Sequence, residues 1–132
     1  MLFGLIALLN LSLLACEIES TAIKGDLNAT WKVVKLDGKD VSKEGATCVI
    51  ETAKNLISGT SGCNFYSASI AEINIIEQDF ILGTITRTEI ACPSTFEQNY
   101  FKALQKVNIF EFVDENTLHL REDLGEIIEL KK

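Results

Sequence analysis

The sequence predicts a small α+β domain, in which a curved antiparallel sheet forms an open, barrel-like layer with one main helix packed on it. Two observations indicate this fold class. Most of the chain after residue 28 consists of short runs rich in β-branched and aromatic residues, separated by turn residues, as in antiparallel strands. One later segment instead repeats its apolar residues at helical spacing.

An apolar run opens the chain and ends at a cysteine, from Leu2 to Cys16. A membrane span needs roughly 20 apolar residues, and this run is shorter and is interrupted by Asn10 and Ser12. Its length and the small residue before the cysteine are typical of a secretory signal. We therefore expect a lipoprotein signal peptide over residues 1–15, cut before Cys16, whose thiol carries diacylglycerol; a buried helix or a span is the alternative.

The cysteine is followed by a polar tether over residues 16–27, and the remaining residues, 28–132, make one domain. Stable anchoring takes two or more acyl chains, which a lipidated Cys16 supplies without a basic patch. The formal net charge of −7 disfavours nucleic acid and anionic headgroups as partners. Glu17 differs from the aspartate of an inner-membrane retention signal, which favours the outer membrane, facing the periplasm.

The expected strands are separated by polar turns. The first strand ends at an Asp-Gly turn signal, and residues 53–55 join two later strands as a hairpin. Acidic turns at 114–116 and 122–125 separate the last three strands. The predicted strands cover residues 30–36, 47–51, 56–59, 65–70, 72–76, 80–88, 109–113, 117–121 and 126–130.

Residues 94–107 form the predicted helix. Ser94 and Glu97 have the spacing of a capping box, in which Glu97 bonds back to the serine amide. Pro93 blocks helix upstream of the cap. We expect the apolar stripe of this helix to pack on the sheet, the alternative being a cofactor or lipid groove. The stripe consists of Phe96, Tyr100, Phe101, Leu104 and Val107.

Three further cysteines, Cys48, Cys63 and Cys92, lie in the domain. An exported protein works in an oxidising compartment, so we expect a disulfide among these three and one thiol left over.

Two segments carry a recognisable order of residues. Residues 58–66 (SGTSGCNFY) place a Gly-rich turn before a cysteine, and residues 88–93 (TEIACP) place a second cysteine before the helix. With Trp31 and Gly38 upstream, this order resembles the META domain of HslJ-like bacterial envelope lipoproteins. The resemblance implies a membrane-tethered, non-enzymatic envelope protein with a role in stress tolerance or envelope upkeep. It also implies binding of a protein segment or an acyl chain, by analogy with open-barrel pilot lipoproteins.

The residues of this motif favour a structural role. Glycine allows positive φ or close backbone approach, and asparagine or threonine can bond local backbone. We expect them to hold two loops together, with Cys63 bridged to Cys92 and Cys48 buried as a small hydrophobe. The motif residues are Gly59, Gly62, Asn64 and Thr88.

Catalytic and metal-binding patterns are absent from the sequence. A thiol enzyme would need the single histidine, His119, beside a cysteine. No lysine follows the turn between Gly59 and Gly62 as a phosphate loop requires, and one histidine with scattered thiols does not make a zinc site. We therefore expect no enzymatic activity, no cofactor and no metal.

The expected binding residues are Tyr100 and Phe101, which point to different sides of the helix. Whichever of them is exposed is expected to line a hydrophobic groove for an envelope protein or a lipid ligand. The alternative function is inhibition of a host or cell-wall enzyme such as lysozyme, since small acidic, disulfide-bearing periplasmic lipoproteins can block cationic enzymes.

Overall fold

The computed structural model describes residues 25–132, and Cys16 with the expected signal peptide lies outside this range. No helix in the described part of the chain is both long and apolar enough to cross a membrane. The elements are β1 (Ala29–Leu36), β2 (Lys39–Asp40), β3 (Thr47–Glu51), β4 (Leu56–Thr60), β5 (Phe65–Asn74), β6 (Asp79–Leu82), β7 (Thr86–Arg87), α1 (Phe96–Lys106), β8 (Ile109–Asp114), β9 (Thr117–Arg121) and β10 (Ile127–Lys131).

Pairing of the first and last long strands closes the sheet into a barrel. β1 is antiparallel to β10 on one side and to β3 on the other. The ring β1-β3-β4-β5-β6-β8-β9-β10 has eight strands, while β2 and β7 pair with β1 and β5 outside it. The predicted α+β class with one helix is confirmed, but the expected open barrel is wrong. The barrel is closed because β10 hydrogen-bonds the edge of β1 that an open sheet would leave free.

Two predicted strand boundaries differ from the structure. The expected strands 65–70 and 72–76 form one strand, β5, because a register shift between Ile70 and Glu72 absorbs the break in alternation. The expected strand 80–88 is instead divided into β6 and β7. The chain bends at Gly83, whose N–H donates to the Ser69 carbonyl at 2.8 Å.

The antiparallel order gives the barrel two distinct ends. At the N-terminal end β1 begins and β10 finishes, and the turns β3–β4, β5–β6 and β8–β9 also lie there. The helix-covered end is opposite. There α1 packs near the β1–β2 turn and near the β9–β10 turn, with Phe96 facing Val41 across one cleft and Lys102 facing Gly125 across another.

The barrel interior is filled by large side chains. Leu118 and Leu120 of β9 point inward and are fully buried, whereas His119 between them points outward, as alternation along a strand requires. The helix inserts Tyr100 and Leu104 into the same core. Burying each such side chain contributes about 1.5–3 kcal/mol. The largest fully buried residues are Trp31, Ile50, Ile57, Phe80, Tyr100, Leu104, Leu118, Leu120, Ile128 and Leu130.

Candidate functional site

A disulfide joins the β4–β5 loop to the loop that precedes α1. It links Cys63 to Cys92, with 6.0 Å between their Cα atoms, and this confirms the predicted pairing. The third cysteine of the domain, Cys48, is a buried free thiol on β3, as predicted. Burial raises the pKa of Cys48 to about 11, so this thiol is unreactive at neutral pH.

The Asn64 side chain is the hydrogen-bonding centre beside the disulfide, and it is almost completely buried. Its Oδ1 accepts hydrogen bonds from the Thr88 hydroxyl at 2.9 Å and from the Ile90 N–H at 2.7 Å. Its Nδ2 donates to the Ile90 carbonyl at 3.0 Å and to Oε1 of Glu97 at 2.9 Å. Because its partners lie in the 88–92 loop and on α1, Asn64 joins its own β4–β5 loop to both of these segments.

Glu97 completes this network and does not form the predicted capping box. Its carboxylate accepts hydrogen bonds from Asn64 and from the Ser61 hydroxyl instead of bonding the Ser94 amide. Ser94 still assists the helix start, because its Oγ accepts from the Phe96 N–H at 3.3 Å. We call Ser61, Cys63, Asn64, Thr88, Cys92 and Glu97 together the buckle.

The charge on Glu97 is stabilised although its side chain is buried. Burial by itself opposes ionisation and raises the pKa of Glu97. The hydrogen bonds from Ser61 and Asn64, with the Arg87 guanidinium 3.5 Å away, outweigh burial and lower this pKa below its usual range. The buckle therefore holds a carboxylate ion at neutral pH.

Two motif glycines are required by close approach of backbone. A Cβ on Gly59 would overlap the Thr47 carbonyl on the neighbouring strand. Gly62 has φ of +91°, and a Cβ there would overlap the Glu44 carbonyl. Of the predicted motif residues, Asn64 and Thr88 are hydrogen-bonded to each other, whereas Gly59 and Gly62 pack against the backbone of Thr47 and Glu44.

The structure does not place an exposed aromatic residue on α1. Tyr100 and Phe101 are both buried, so the expectation that one of them is exposed is wrong, although the edge of Phe101 still lines a groove beside Arg87 and Gln98. The Tyr100 hydroxyl bonds the Tyr66 hydroxyl at 2.7 Å inside the barrel, which satisfies its polar end without solvent. The Arg87 guanidinium covers Phe101, 5.0 Å from the ring centroid.

Arg87 instead lies at the middle of a polar groove between β7 and α1. One part of the groove, about 360 Å³, is bounded by Ile85, Arg87, Gln98 and Gln105. It continues past Arg87 and Gln98 into a cleft of about 350 Å³ beside Ile90 and the buckle. Among the described residues β7 pairs only with β5, and Gln105 of α1 bonds the backbone just before β7, at Ile85 N–H and the Gly83 carbonyl. We call the whole channel the β7–α1 groove.

A second cleft lies at the helix-covered end and is acidic. It has a volume of about 450 Å³, and Phe96 and Asn99 of α1 form one wall. Lys39 is the one basic residue that lines it. We call it the acidic cleft; its carboxylates are Asp37, Asp40, Glu44 and Glu126.

The described residues contain one cluster with metal-ligand spacing and one histidine. The grouping with metal-ligand spacing is Cys63, Cys92 and Glu97, but its two sulfurs are bonded to each other and offer no thiolate. Nε2 of His119 on β9 lies 3.0 Å from Oε1 of Glu129 on β10, and neither residue belongs to the buckle.

Ser61 and Arg87 were not predicted as members of this region, and Glu97 was predicted as a helix cap. Glu97 carried a signal, its spacing from Ser94, but that spacing has a local interpretation as a cap. No local pattern distinguishes a glutamate that caps its own helix from one that bonds a distant asparagine.

A closed eight-stranded barrel with a disulfide-bridged loop crossing defines a class of small β-barrel modules. The META domain family model matches residues 23–132, and the chain therefore belongs to the META domain family. No curated protein sequence matches the chain.

Two solved structures share the fold. A DUF4847 family protein from Bacteroides vulgatus, known from a crystal structure, is 11% identical with a TM-score of 0.61, over 80% of this chain and 92% of that one. A protein from Burkholderia xenovorans, known from an NMR structure, is 22% identical with a TM-score of 0.54, over 86% of this chain and 94% of that one. At these identities the similarity concerns the fold.

Proposed function

We propose that this META domain protein is a non-enzymatic binding protein of the cell envelope, anchored through Cys16 to the outer membrane on its periplasmic side. Its ligand is an extended protein segment, held in the β7–α1 groove. The single observation that carries the proposal is that β7 has β5 as its one strand neighbour in the described part of the chain, while Arg87 of β7 lines both parts of the groove. An extended peptide can add to the second edge of such a strand through main-chain hydrogen bonds.

The groove has features suited to a peptide. Along α1 from Gln98 to Gln105 it spans about 10 Å at 1.5 Å per residue, and the part beside the buckle lengthens it further. Arg87 lies at its centre with a side chain 42% exposed, so its guanidinium can donate to carbonyl or carboxylate oxygens of a ligand. The buckle keeps one wall in place, since a disulfide and a buried hydrogen-bond network both restrain it.

The filled barrel directs the proposal towards a protein segment and away from an acyl chain. Trp31, Phe80 and Tyr100 occupy the interior, and the Phe101 ring packs against Tyr100. The role in stress tolerance or envelope upkeep follows from the family resemblance, and we propose that segment binding is the means by which the protein performs it.

Inhibition of a cationic enzyme such as lysozyme is the second candidate function, and the acidic cleft favours it. Four carboxylates surround this cleft with one lysine, which is complementary to a basic enzyme surface. The two candidate functions therefore use different faces of α1. The adjacent residues Gln98 and Asn99 distinguish them, because each lines one of the two sites.

Photo-crosslinking in intact envelopes tests the proposal. Gln98 lines the β7–α1 groove, and the next residue, Asn99, lines the acidic cleft, so the same photoreactive amino acid at either position is a matched pair. We expect a crosslink at Gln98 that maps to one short partner segment and is weakened by Arg87→Gln. Crosslinks at Asn99 alone, together with inhibition of lysozyme by the purified protein, would instead establish the inhibitor function.

The anchor is tested separately. Wild-type protein is expected to begin at lipidated Cys16 and to fractionate with membranes, whereas Cys16→Ser is released or left unprocessed. Intact-mass measurement of the wild type that shows residues 1–15 retained without lipid would disprove the anchor.

A further inference from the structure

The β5–β6 turn exposes two neighbouring isoleucines. Ile75 is 64% exposed and Ile76 is 90% exposed. Isoleucine is uncommon in tight turns, which favour glycine, asparagine, aspartate and serine. Single exposed apolar residues are ordinary on protein surfaces, but two adjacent ones in one turn are a feature that requires an explanation.

The turn does not need these isoleucines for its own structure. The Asn74 Oδ1 accepts hydrogen bonds from the N–H groups of Ile76 and Glu77, both at 3.0 Å, which forms the turn from backbone and one polar side chain. Gln78 takes the left-handed conformation with φ of +60° that reverses the chain. Polar residues at 75 and 76 would permit the same turn, so the turn geometry does not account for the apolar side chains.

This turn, which we call the tip, lies at the end of the barrel where the described chain begins. The Phe110 N–H donates to the Gln78 carbonyl at 3.0 Å, which places the tip beside β8. Two residues farther along β8, the Phe112 ring packs so closely on Gly25 that a Cβ there would overlap it. The first described residue and the isoleucine tip therefore flank the same strand.

Polarity separates this turn from the others at the same end. The β3–β4 turn contains Thr52, Lys54 and Asn55, and the β8–β9 turn contains Glu115 and Asn116. Only one of these three turns thus presents large aliphatic side chains to solvent. On β8 itself, Val113 adds a partly exposed aliphatic group towards the same end.

We propose that the β5–β6 tip inserts into the lipid leaflet that holds the Cys16 anchor, with Ile75 and Ile76 as the inserting residues. The inference rests on the proposed lipid anchor. Gly25 lies nine positions after Cys16, so the connecting chain spans at most about 30 Å and keeps this end of the barrel next to the bilayer. At that distance a weak apolar contact becomes effective, because the anchor makes it intramolecular.

The charges around the tip indicate which surface it fits. The two isoleucines carry no charge, but Glu77 and Asp79 follow them directly. Acidic neighbours are repelled by anionic headgroups, so the tip suits a leaflet rich in neutral zwitterionic lipid. This orientation turns the β7–α1 groove side and the helix-covered end away from the membrane.

Site-directed fluorescence on the lipidated protein tests the insertion. A cysteine at Ile76→Cys takes an environment-sensitive fluorophore selectively, because Cys48 is buried and Cys63 is bonded to Cys92. The matched control is Leu124→Cys, at a residue 99% exposed in the β9–β10 turn at the opposite end. Both proteins are reconstituted in phosphatidylcholine vesicles with and without lipid-borne nitroxide quenchers, and flotation of the vesicles measures anchoring.

We expect the label at residue 76 to shift its emission to the blue and to be quenched more than about twofold, with no change at residue 124. Flotation with an unquenched label at residue 76 overturns the insertion but leaves the anchor intact. Failure of the wild-type protein to float overturns both. A blue shift without lipid quenching means that a protein surface covers the tip, and this also overturns the insertion. Vesicles of anionic phosphatidylglycerol are expected to give weaker quenching than neutral ones.

Discussion

Removal of the Asn64 side chain tests the buckle most directly. Asn64→Ala loses three hydrogen bonds to neutral groups, which are the Thr88 hydroxyl and both backbone groups of Ile90, and one to the Glu97 carboxylate. Each neutral bond contributes about 0.5–1.5 kcal/mol net, and the charged one contributes about 1.5–3 kcal/mol. Water can reach part of the Ile90 backbone after the deletion, so we expect an overall loss of about 3–5 kcal/mol.

Urea unfolding of the oxidised protein measures this loss as a change in the free energy of unfolding. Asn28→Ala is the matched control, because Asn28 also bonds through both ends of its carboxamide, to Thr52 and Asp26, but at an exposed position. We expect the control to cost less than about 1 kcal/mol. If Asn64→Ala falls within about 1 kcal/mol of Asn28→Ala, the disulfide and the core hold the loops without the buckle network, and the reasoning is refuted.

Three further predictions follow from single contacts. Gly62→Ala should destabilise the protein much more than Gly38→Ala in the same urea assay: both positions have positive φ, but only at Gly62 does the new Cβ meet a carbonyl; equal losses would contradict this. The pKa of Glu97 is lowered in the folded protein, so ionised Glu97 stabilises the fold fully at pH values above its ordinary pKa of 4.5, and this stabilisation is lost as the pH falls through the lower folded pKa. The stability of wild type should therefore decline more steeply on acidification than that of Glu97→Gln. Parallel stability profiles of the two proteins would exclude this contribution of Glu97. Leu104→Ala leaves a cavity in the core and should cost about 2–5 kcal/mol, whereas exposed Lys102→Ala should cost less than about 0.5 kcal/mol; thermal unfolding followed by circular dichroism compares them, and similar melting temperatures would disprove the packing argument.

Local patterns predicted most of the elements of this fold. The strands at 47–51 and 117–121 match β3 and β9, and the helix predicted at 94–107 differs from α1 by two residues at its start and one at its end. These segments have clear alternation or helical spacing and sharp turn residues at their boundaries, so short-range signals decide them.

Such short-range signals could not predict closure of the barrel. An open and a closed sheet of these strands have the same alternation, because β10 faces the core on one side in either case. What decides closure is the pairing of β1 with β10, whose residues lie at opposite ends of the domain. No residue pattern within either strand indicates which other strand it pairs with.

The candidate site was also predicted only in part, because some of its contacts join residues that are distant in sequence. The glycines, Asn64 and the disulfide belong to one compact motif whose residue types already require tight turns. The predicted exposure of Tyr100 or Phe101 was wrong, because the hydroxyl of Tyr66, distant in sequence, accommodates Tyr100 inside the barrel and Arg87 covers Phe101. Arg87, the residue at the centre of the β7–α1 groove, acquires its position only when β7 and α1 are packed together.

Barrel closure also sets the moment at which the domain can fold. β1 is the first of its strands to be synthesised and β10 the last, and they pair between Lys32–Leu36 and Ile128–Lys131. Until β10 is available, β1 lacks one neighbour and the core lacks Ile128 and Leu130, both fully buried. Contacts between distant parts of a chain also form slowly. The export proposed above would benefit from this delay, because a chain that has not yet closed its barrel stays unfolded and able to thread through a translocation channel.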